Sequence, residues 1–201
     1  MPELWQPRSI IAFGGRRTDA PHAGEKRFEF ASVAAVRDAL TDLFRRQAPL
    51  ALVASAACGS DLLALDAADE LGCRIRVVMP FPPQRFRETS VVDRPHPEFW
   101  GPLFDRLVGK ADSNGDLVVL GLEDTSSAYA ATNRAIIEEA TALAEVAPPP
   151  RRLAVIAWDG ASRGEGDLTQ QLADLAREAG FTLLEVSTID PDANRRRRRR
   201  A

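Results

Sequence analysis

The sequence predicts an open, doubly wound α/β fold, with a mainly parallel sheet of about six strands and helices on both faces. Strand-like and helix-like segments alternate along the chain, the strand-like runs are continuously apolar, and glycine or proline marks most of their junctions. Continuous apolar runs suit strands covered on both faces, which is the condition of a parallel sheet held between two helix layers.

The first strand is read as RSIIAF (8–13), ending in Gly14 and Gly15. Residues 30–47 read as a helix: Phe30, Val33, Val36, Leu40, Leu43 and Phe44 share one face, and Arg37, Asp38, Asp42 and Arg45 the other. LALVASA (50–56) follows Pro49 as the second strand. The second helix opens within ACGSDLLALDAADELG and stops at Gly72. CRIRVVMP (73–80) is a third strand closed by Pro80.

Residues 81–115 read as a long irregular segment, with one short helix near 98–109. DLVVLG (116–121) gives a fourth strand, and residues 126–146 a long helix capped by Ser126 or Thr125. PPPRR is a spacer within one domain, because RLAVIAWDG (152–160) resumes as a fifth strand. A helix over 167–179 and the strand FTLLEV (181–186) complete the pattern. No internal repeat is evident. Residues 1–190 are thus expected to form one domain, and 191–201 an arginine-rich disordered tail.

At 201 residues, 45% of them apolar and 27% charged, the chain suits a globular domain with a proper core. No apolar run reaches the length of a membrane span, and residues 1–15 are too polar for a secretory signal. A cytoplasmic protein with reduced thiols and no membrane association is expected. The two cysteines and two histidines lack metal-site spacing, so no metal is expected. The net charge of −3 conceals an asymmetry. Six of the 26 basic residues are Arg195 to Arg200, leaving 20 basic against 29 acidic residues in the body, a balance of −9. Such a body disfavours a broad nucleic-acid-binding face, while the arginine run offers a weak nucleic-acid contact.

In this architecture ligands sit outside the carboxyl ends of the strands, where strand order reverses. The first strand ends in Gly14-Gly15-Arg16, the second in Cys58-Gly59-Ser60-Asp61, the third in Pro80-Phe81, and the fifth in Trp158-Asp159-Gly160. A helix N-terminus carries unsatisfied N–H groups, and a glycine before it lets a phosphate approach. Each glycine is alternatively plain turn chemistry. Arg85, Arg87, Glu88 and Ser90 follow the third strand and are read either as a group reaching over the rim or as a solvated loop with Arg–Glu pairing. Asn133 and Arg134 suit phosphate or ribose recognition, or a helix surface. Trp158 can stack on a base or close the core, Asp159 can accept from ribose or make a turn, and Cys58 reads as a small buried filler.

On ACGSDLLALDAA, VVMPFPPQRFRETSV, AYAATNRAIIEEA and WDG, the chain resembles the SLOG superfamily of Rossmann-like proteins over roughly residues 8–187. That group includes cytokinin-activating phosphoribohydrolases (also described as lysine decarboxylases), molybdenum-cofactor carrier proteins and DNA processing protein A. The resemblance implies a ligand set of Gly14, Gly15, Arg16, Gly59, Ser60, Asp61, Asn133, Arg134, Asp159 and Gly160, and commonly a homo-oligomer. The hydrolase motif PGGxGTxxE has only a partial counterpart in GASRGEGDLTQQ, where Gly164, Gly166 and Thr169 persist but the order is lost.

The leading expectation is therefore a sensing domain, as in bacterial signalling or defence, that binds a nucleotide or nucleotide-derived molecule and reports to an effector domain or partner. Its phosphate would rest on Gly59 to Asp61 with Arg16, Arg85, Arg87 and Arg134, and its ribose on Asp159. A hydrolase of N-glycosidic or phosphoribosyl bonds is the alternative, with Asp61, Glu88 and Glu165 as candidate carboxylates. Single-stranded DNA binding comes third. No further cofactor is expected.

Overall fold

The structure is a computed structural model describing residues 8–146 and 148–189. The arginine-rich tail expected over 191–201 lies outside the described residues. Six strands form one all-parallel sheet: β1 (Ser9–Gly15), β2 (Pro49–Ala54), β3 (Arg74–Met79), β4 (Leu117–Val119), β5 (Arg151–Trp158) and β6 (Thr182–Ser187), in the order β4-β3-β2-β1-β5-β6. The chain moves outward from β1 to β4, then returns across the sheet to lay β5 on the other side of β1. The strand order thus reverses between β1 and β5.

Helices α1 (Val33–Gln47), α2 (Ser60–Glu70) and α4 (Pro97–Ser113) cover one face, while α5 (Ser126–Leu143) and α6 (Leu168–Glu178) cover the other. Side chains of β1 alternate between the two layers. Ile11 and Phe13 pack with Leu40, Phe44, Leu62 and Trp100, and Ile10 and Ala12 pack with Ile136, Ala140, Leu172 and Ala176. A strand that buries both faces must be apolar at every position, which is why its sequence shows no alternation.

The segment after β3 is more helical than expected: the short helix read near 98–109 is present and longer, and a second helix precedes it. It holds α3 (Pro83–Ser90) and the 17-residue α4. Its prolines read as breakers, yet Pro83 and Pro97 are first helical residues, where a missing N–H costs nothing and the fixed φ suits the helix. Phe86, Trp100, Phe104 and Leu107 then anchor both helices in the core. Acidic residues on α2 reach both neighbours, Asp66 pairing with Arg37 of α1 and Arg106 of α4.

The first turn of α2 is tied to the loop after β1. The N–H of Ser60 (3.1 Å) and its hydroxyl (2.8 Å) both donate to the Arg16 carbonyl. Gly59 sits there at φ +102°, where an added Cβ would stand 2.7 Å from the Thr18 nitrogen and 2.8 Å from the Arg16 oxygen. Gly59 is required by a backbone crossing, and a side chain there meets the fold itself, not a ligand. Gly59→Ala should therefore lower stability by about 2–4 kcal/mol in chemical denaturation, with or without nucleotide. A variant as stable as the parent would contradict this assignment.

Candidate functional site

At the reversal of strand order, over the carboxyl ends of β1 and β2, the structure opens a cavity of about 380 Å³. This lies within the ordinary range for small-molecule sites. Phe13, Phe86, Ile136 and Leu172 form apolar walls, and Gly14 and Gly15 form part of the floor. Polar groups come from separate elements: Arg17 after β1, Asp61 on α2, Ser90 on α3, Arg94 before α4, Tyr129, Thr132 and Asn133 on α5, and Arg163 and Thr169 around the start of α6. An adjoining cavity of about 470 Å³ shares Gly15, Arg17, Arg94, Arg163, Leu168 and Thr169, so the two form one cleft. Close packing requires both glycines. A Cβ on Gly14 would strike Leu172 at 2.3 Å, and one on Gly15 would strike the Ala157 carbonyl at 2.4 Å.

The three arginines that line the cavity differ in how far the fold engages them. Arg17 pairs with Asp93 and donates to the Cys58 sulfur (3.5 Å), yet its buried Nε is unsatisfied. The buried Nε of Arg94 makes no hydrogen bond but lies 3.8 Å from the Asp93 carboxylate. Arg163 has no side-chain partner among the described residues, and its pKa is pushed down by burial and by the Arg16 and Arg27 guanidiniums. A guanidinium repelled by its neighbours gains when an anion arrives.

Asp61 is the one carboxylate lining the 380 Å³ cavity. It is 8% exposed, and its Oδ1 has no hydrogen-bond partner. Burial pushes its pKa up to about 7, against the opposing pull of the Ala57 N–H, Arg17 and the Gly15 N–H. Opposite it, the Ser90 and Tyr129 hydroxyls bond to each other at 3.2 Å, and Asn133 Nδ2 donates to the Leu168 carbonyl (2.8 Å) and Gln171 (2.9 Å).

Of the residues expected at the site, the structure gathers Gly14, Gly15, Asp61, Ser90 and Asn133 around this cavity. Others go elsewhere, for identifiable reasons. Arg16 is 3% exposed and spent within the fold: it donates to Asp167 (2.7 and 2.9 Å), to Asp159 (3.2 Å) and to the Ala161 carbonyl (2.6 Å). Asp159 also accepts from Arg27 (2.7 Å), so it is an ion-pair partner and not a ribose acceptor. Against the upward push of burial, Arg16 and the Arg163 backbone N–H hold the Asp167 carboxyl down at about 2. Ser60 has both donors committed to Arg16, and Gly59 is buried in the crossing, so neither offers an open phosphate cradle.

Arg85 pairs with Asp124 and Glu88, and Arg87 with Asp105, all on the outer side of α3. Pro80 and Phe81 are buried in the core, whereas Arg134 and Gly160 are exposed away from the cavity. Trp158 is buried, with Nε1 donating to Glu185 (3.1 Å). Glu88 lies on the surface, and Glu165 lines only the adjoining cavity. Sequence reading missed Arg17, Arg94, Arg163 and Tyr129. The available signals were the second arginine of GGRR and the chain's one tyrosine, in the first turn of a helix.

No family model and no curated sequence matches the chain. Among solved structures it is similar to DNA processing protein A from Helicobacter pylori, described for its single-stranded DNA binding mode. The identity is 17%, with 90% of this chain and 65% of that chain covered and a TM-score of 0.51. DNA processing protein A from Streptococcus pneumoniae is similar at 17% identity over 89% of this chain and 59% of that one, with a TM-score of 0.40. The likeness shows a shared Rossmann-like α/β fold. Among the described residues no helix is long and apolar enough to cross a membrane.

The state of Asp61 has a signed consequence. Between about pH 4 and 7 the native carboxyl keeps a proton that the unfolded chain has lost, so stability falls as pH rises through this window. Asp61→Asn removes the penalty. Its melting should match the parent near pH 4 and exceed it by about 2–4 kcal/mol near pH 8. Equal stability of the two proteins at pH 8 would show that the Asp61 carboxylate is not disfavoured.

Proposed function

We propose that the cleft binds a nucleotide or nucleotide-derived molecule, its phosphate held by Arg17, Arg94 and Arg163. The observation that carries this reading is the convergence of Arg17, Arg94 and Arg163 on one partly apolar cavity at the reversal of strand order. Guanidinium groups offer forked donors suited to phosphate oxygens. Phe86, Tyr129 and Ile136 supply an apolar bed for a base or sugar. The anion thus sits one residue along from Arg16, on an arginine that lines the cavity and shares the Asp93 carboxylate with Arg94. Asp61 is the only earlier catalytic candidate lining this cavity, but the arrangement is read as a binding site.

A second reading is single-stranded DNA binding, favoured by what the Helicobacter pylori protein is described as binding. In that case the same arginines would take phosphates of a strand. The body's acidic balance and the 380 Å³ volume favour a single nucleotide unit.

Thermal melts with AMP, GMP, CMP, UMP and inorganic phosphate should show a rise with at least one of them, because a ligand of the native state stabilises it by mass action. Arg163→Ala should leave the ligand-free midpoint unchanged and weaken the phosphorylated ligand about tenfold or more, the worth of a charged hydrogen bond. Undiminished affinity in this variant would remove Arg163 from the site. An oligothymidylate that displaces the mononucleotide, and that Arg163→Ala also weakens, would establish the DNA reading instead.

A further inference from the structure

Arg17, Arg94 and Arg163 line both the 380 Å³ cavity and the adjoining one of about 470 Å³. The three guanidiniums thus stand at the junction of two lobes of the cleft, not at the end of one. The phosphate of a nucleoside monophosphate is terminal. With its base on the apolar walls of the first lobe and its phosphate at the junction, such a ligand leaves the second lobe to water.

The second lobe has a different chemistry. Phe13, Phe86, Tyr129, Ile136 and Leu172 line the first lobe only, and no aromatic residue lines the second. A second base would find nothing there to stack on. Nor does the lobe call for another anion. Arg16 is paired with Asp159 and Asp167, Arg27 with Asp159 and Glu25, and Asp19 accepts from the backbone N–H groups of Arg27 (3.0 Å) and Phe28 (3.0 Å). The exposed Glu165 carboxylate would repel a further negative charge. A polar surface whose charges are matched within the fold favours an uncharged, hydroxyl-rich group, which can both donate and accept hydrogen bonds.

Charge at the junction sets the link between the two halves. Arg17 and Arg94 share the Asp93 carboxylate, so three guanidiniums there meet one carboxylate and leave two positive charges unmatched. A phosphodiester brings one negative charge, whereas a pyrophosphate esterified at both ends brings two. Asp61 lines the first lobe only and does not alter this balance at the junction.

We propose that the cleft takes a nucleoside diphosphate joined through its second phosphate to a sugar. The base lies in the first lobe, the pyrophosphate on Arg17, Arg94 and Arg163, and the sugar in the second lobe. This inference rests on the nucleotide reading above and adds to it the second half of the ligand. Ala20 and Ala23, on the turn after β1, line the second lobe only. A large side chain at either position fills that lobe and spares the first.

The test is calorimetric titration of the full chain with UDP-glucose, GDP-mannose and ADP-glucose, each beside its nucleoside mono- and diphosphate, and with the dinucleoside phosphates UpU, GpG and ApA. At least one sugar-linked ligand should bind about tenfold or more tightly than its mono- and diphosphate, the worth of a few hydrogen bonds. Either Ala23→Trp or Ala20→Trp should remove that gain and leave the monophosphate affinity unchanged, with melting curves establishing that each variant is folded. A free mono- or diphosphate that binds as tightly as the sugar-linked form would overturn the inference while leaving a nucleotide site in place, as would a gain that survives in both folded variants. A dinucleoside phosphate that binds as tightly would overturn it in favour of a nucleic-acid strand. If no nucleotide of any kind binds, the underlying reading fails, and this one with it.

Discussion

The structure depends on where Arg16 goes. Its guanidinium is buried against Asp159 and Asp167, its N–H donates to the Ala157 carbonyl at 2.8 Å, and its carbonyl receives both donors of Ser60. One residue thus joins the end of β1 to the end of β5, to the first turn of α2 and to the cap of α6. A buried ion pair is worth little beside an apolar replacement, but it is expensive to break on one side, at about 3–5 kcal/mol. The cluster is therefore better understood as fixing geometry than as adding stability. Asp167 also caps α6, accepting from the Thr169 N–H at 2.9 Å. The wall of the cleft is consequently set by the same ions.

This arrangement divides the charge of the site into two populations. Arg16 and Arg27 are neutralised by carboxylates within the fold. Arg17, Arg94 and Arg163 line the cleft, the first two sharing the Asp93 carboxylate, and Asp61 lines it with one oxygen closed off and unsatisfied. Holding Arg163 near Arg16 and Arg27 costs stability in the empty protein, and an anion in the cleft would relieve that repulsion. Strain of this kind concentrates at sites, because evolution tolerates it only where binding offsets it.

The fold was legible because its signals are periodic. Six apolar runs and their intervening helical faces correspond to the six strands and to five of the six helices. In the segment after β3, α3 escaped reading and α4 was read short, because Pro83, Pro97 and Pro102 interrupt the pattern and the anchors Phe86, Trp100 and Phe104 are widely spaced. The site was legible only as a location. Gly14, Gly15 and Asp61 follow from the strand ends, but which arginine of GGRR turns inward depends on the direction of one residue at the end of a strand. Asp159 looked available because an Asp-Gly turn carries no mark of the arginines that will surround it. Arg94 and Arg163 lie in loops, where no periodicity fixes the direction of a side chain, and only the tertiary fold brings them to Arg17.

The central claim is that an anion is bound by Arg17, Arg94 and Arg163 above the Asp61 carboxyl. A crystal structure grown with a saturating ribonucleoside monophosphate measures this directly. The account predicts a phosphate within hydrogen-bonding distance of at least two of these guanidiniums. A nucleotide bound elsewhere on the molecule, with this cleft holding only solvent, would contradict it.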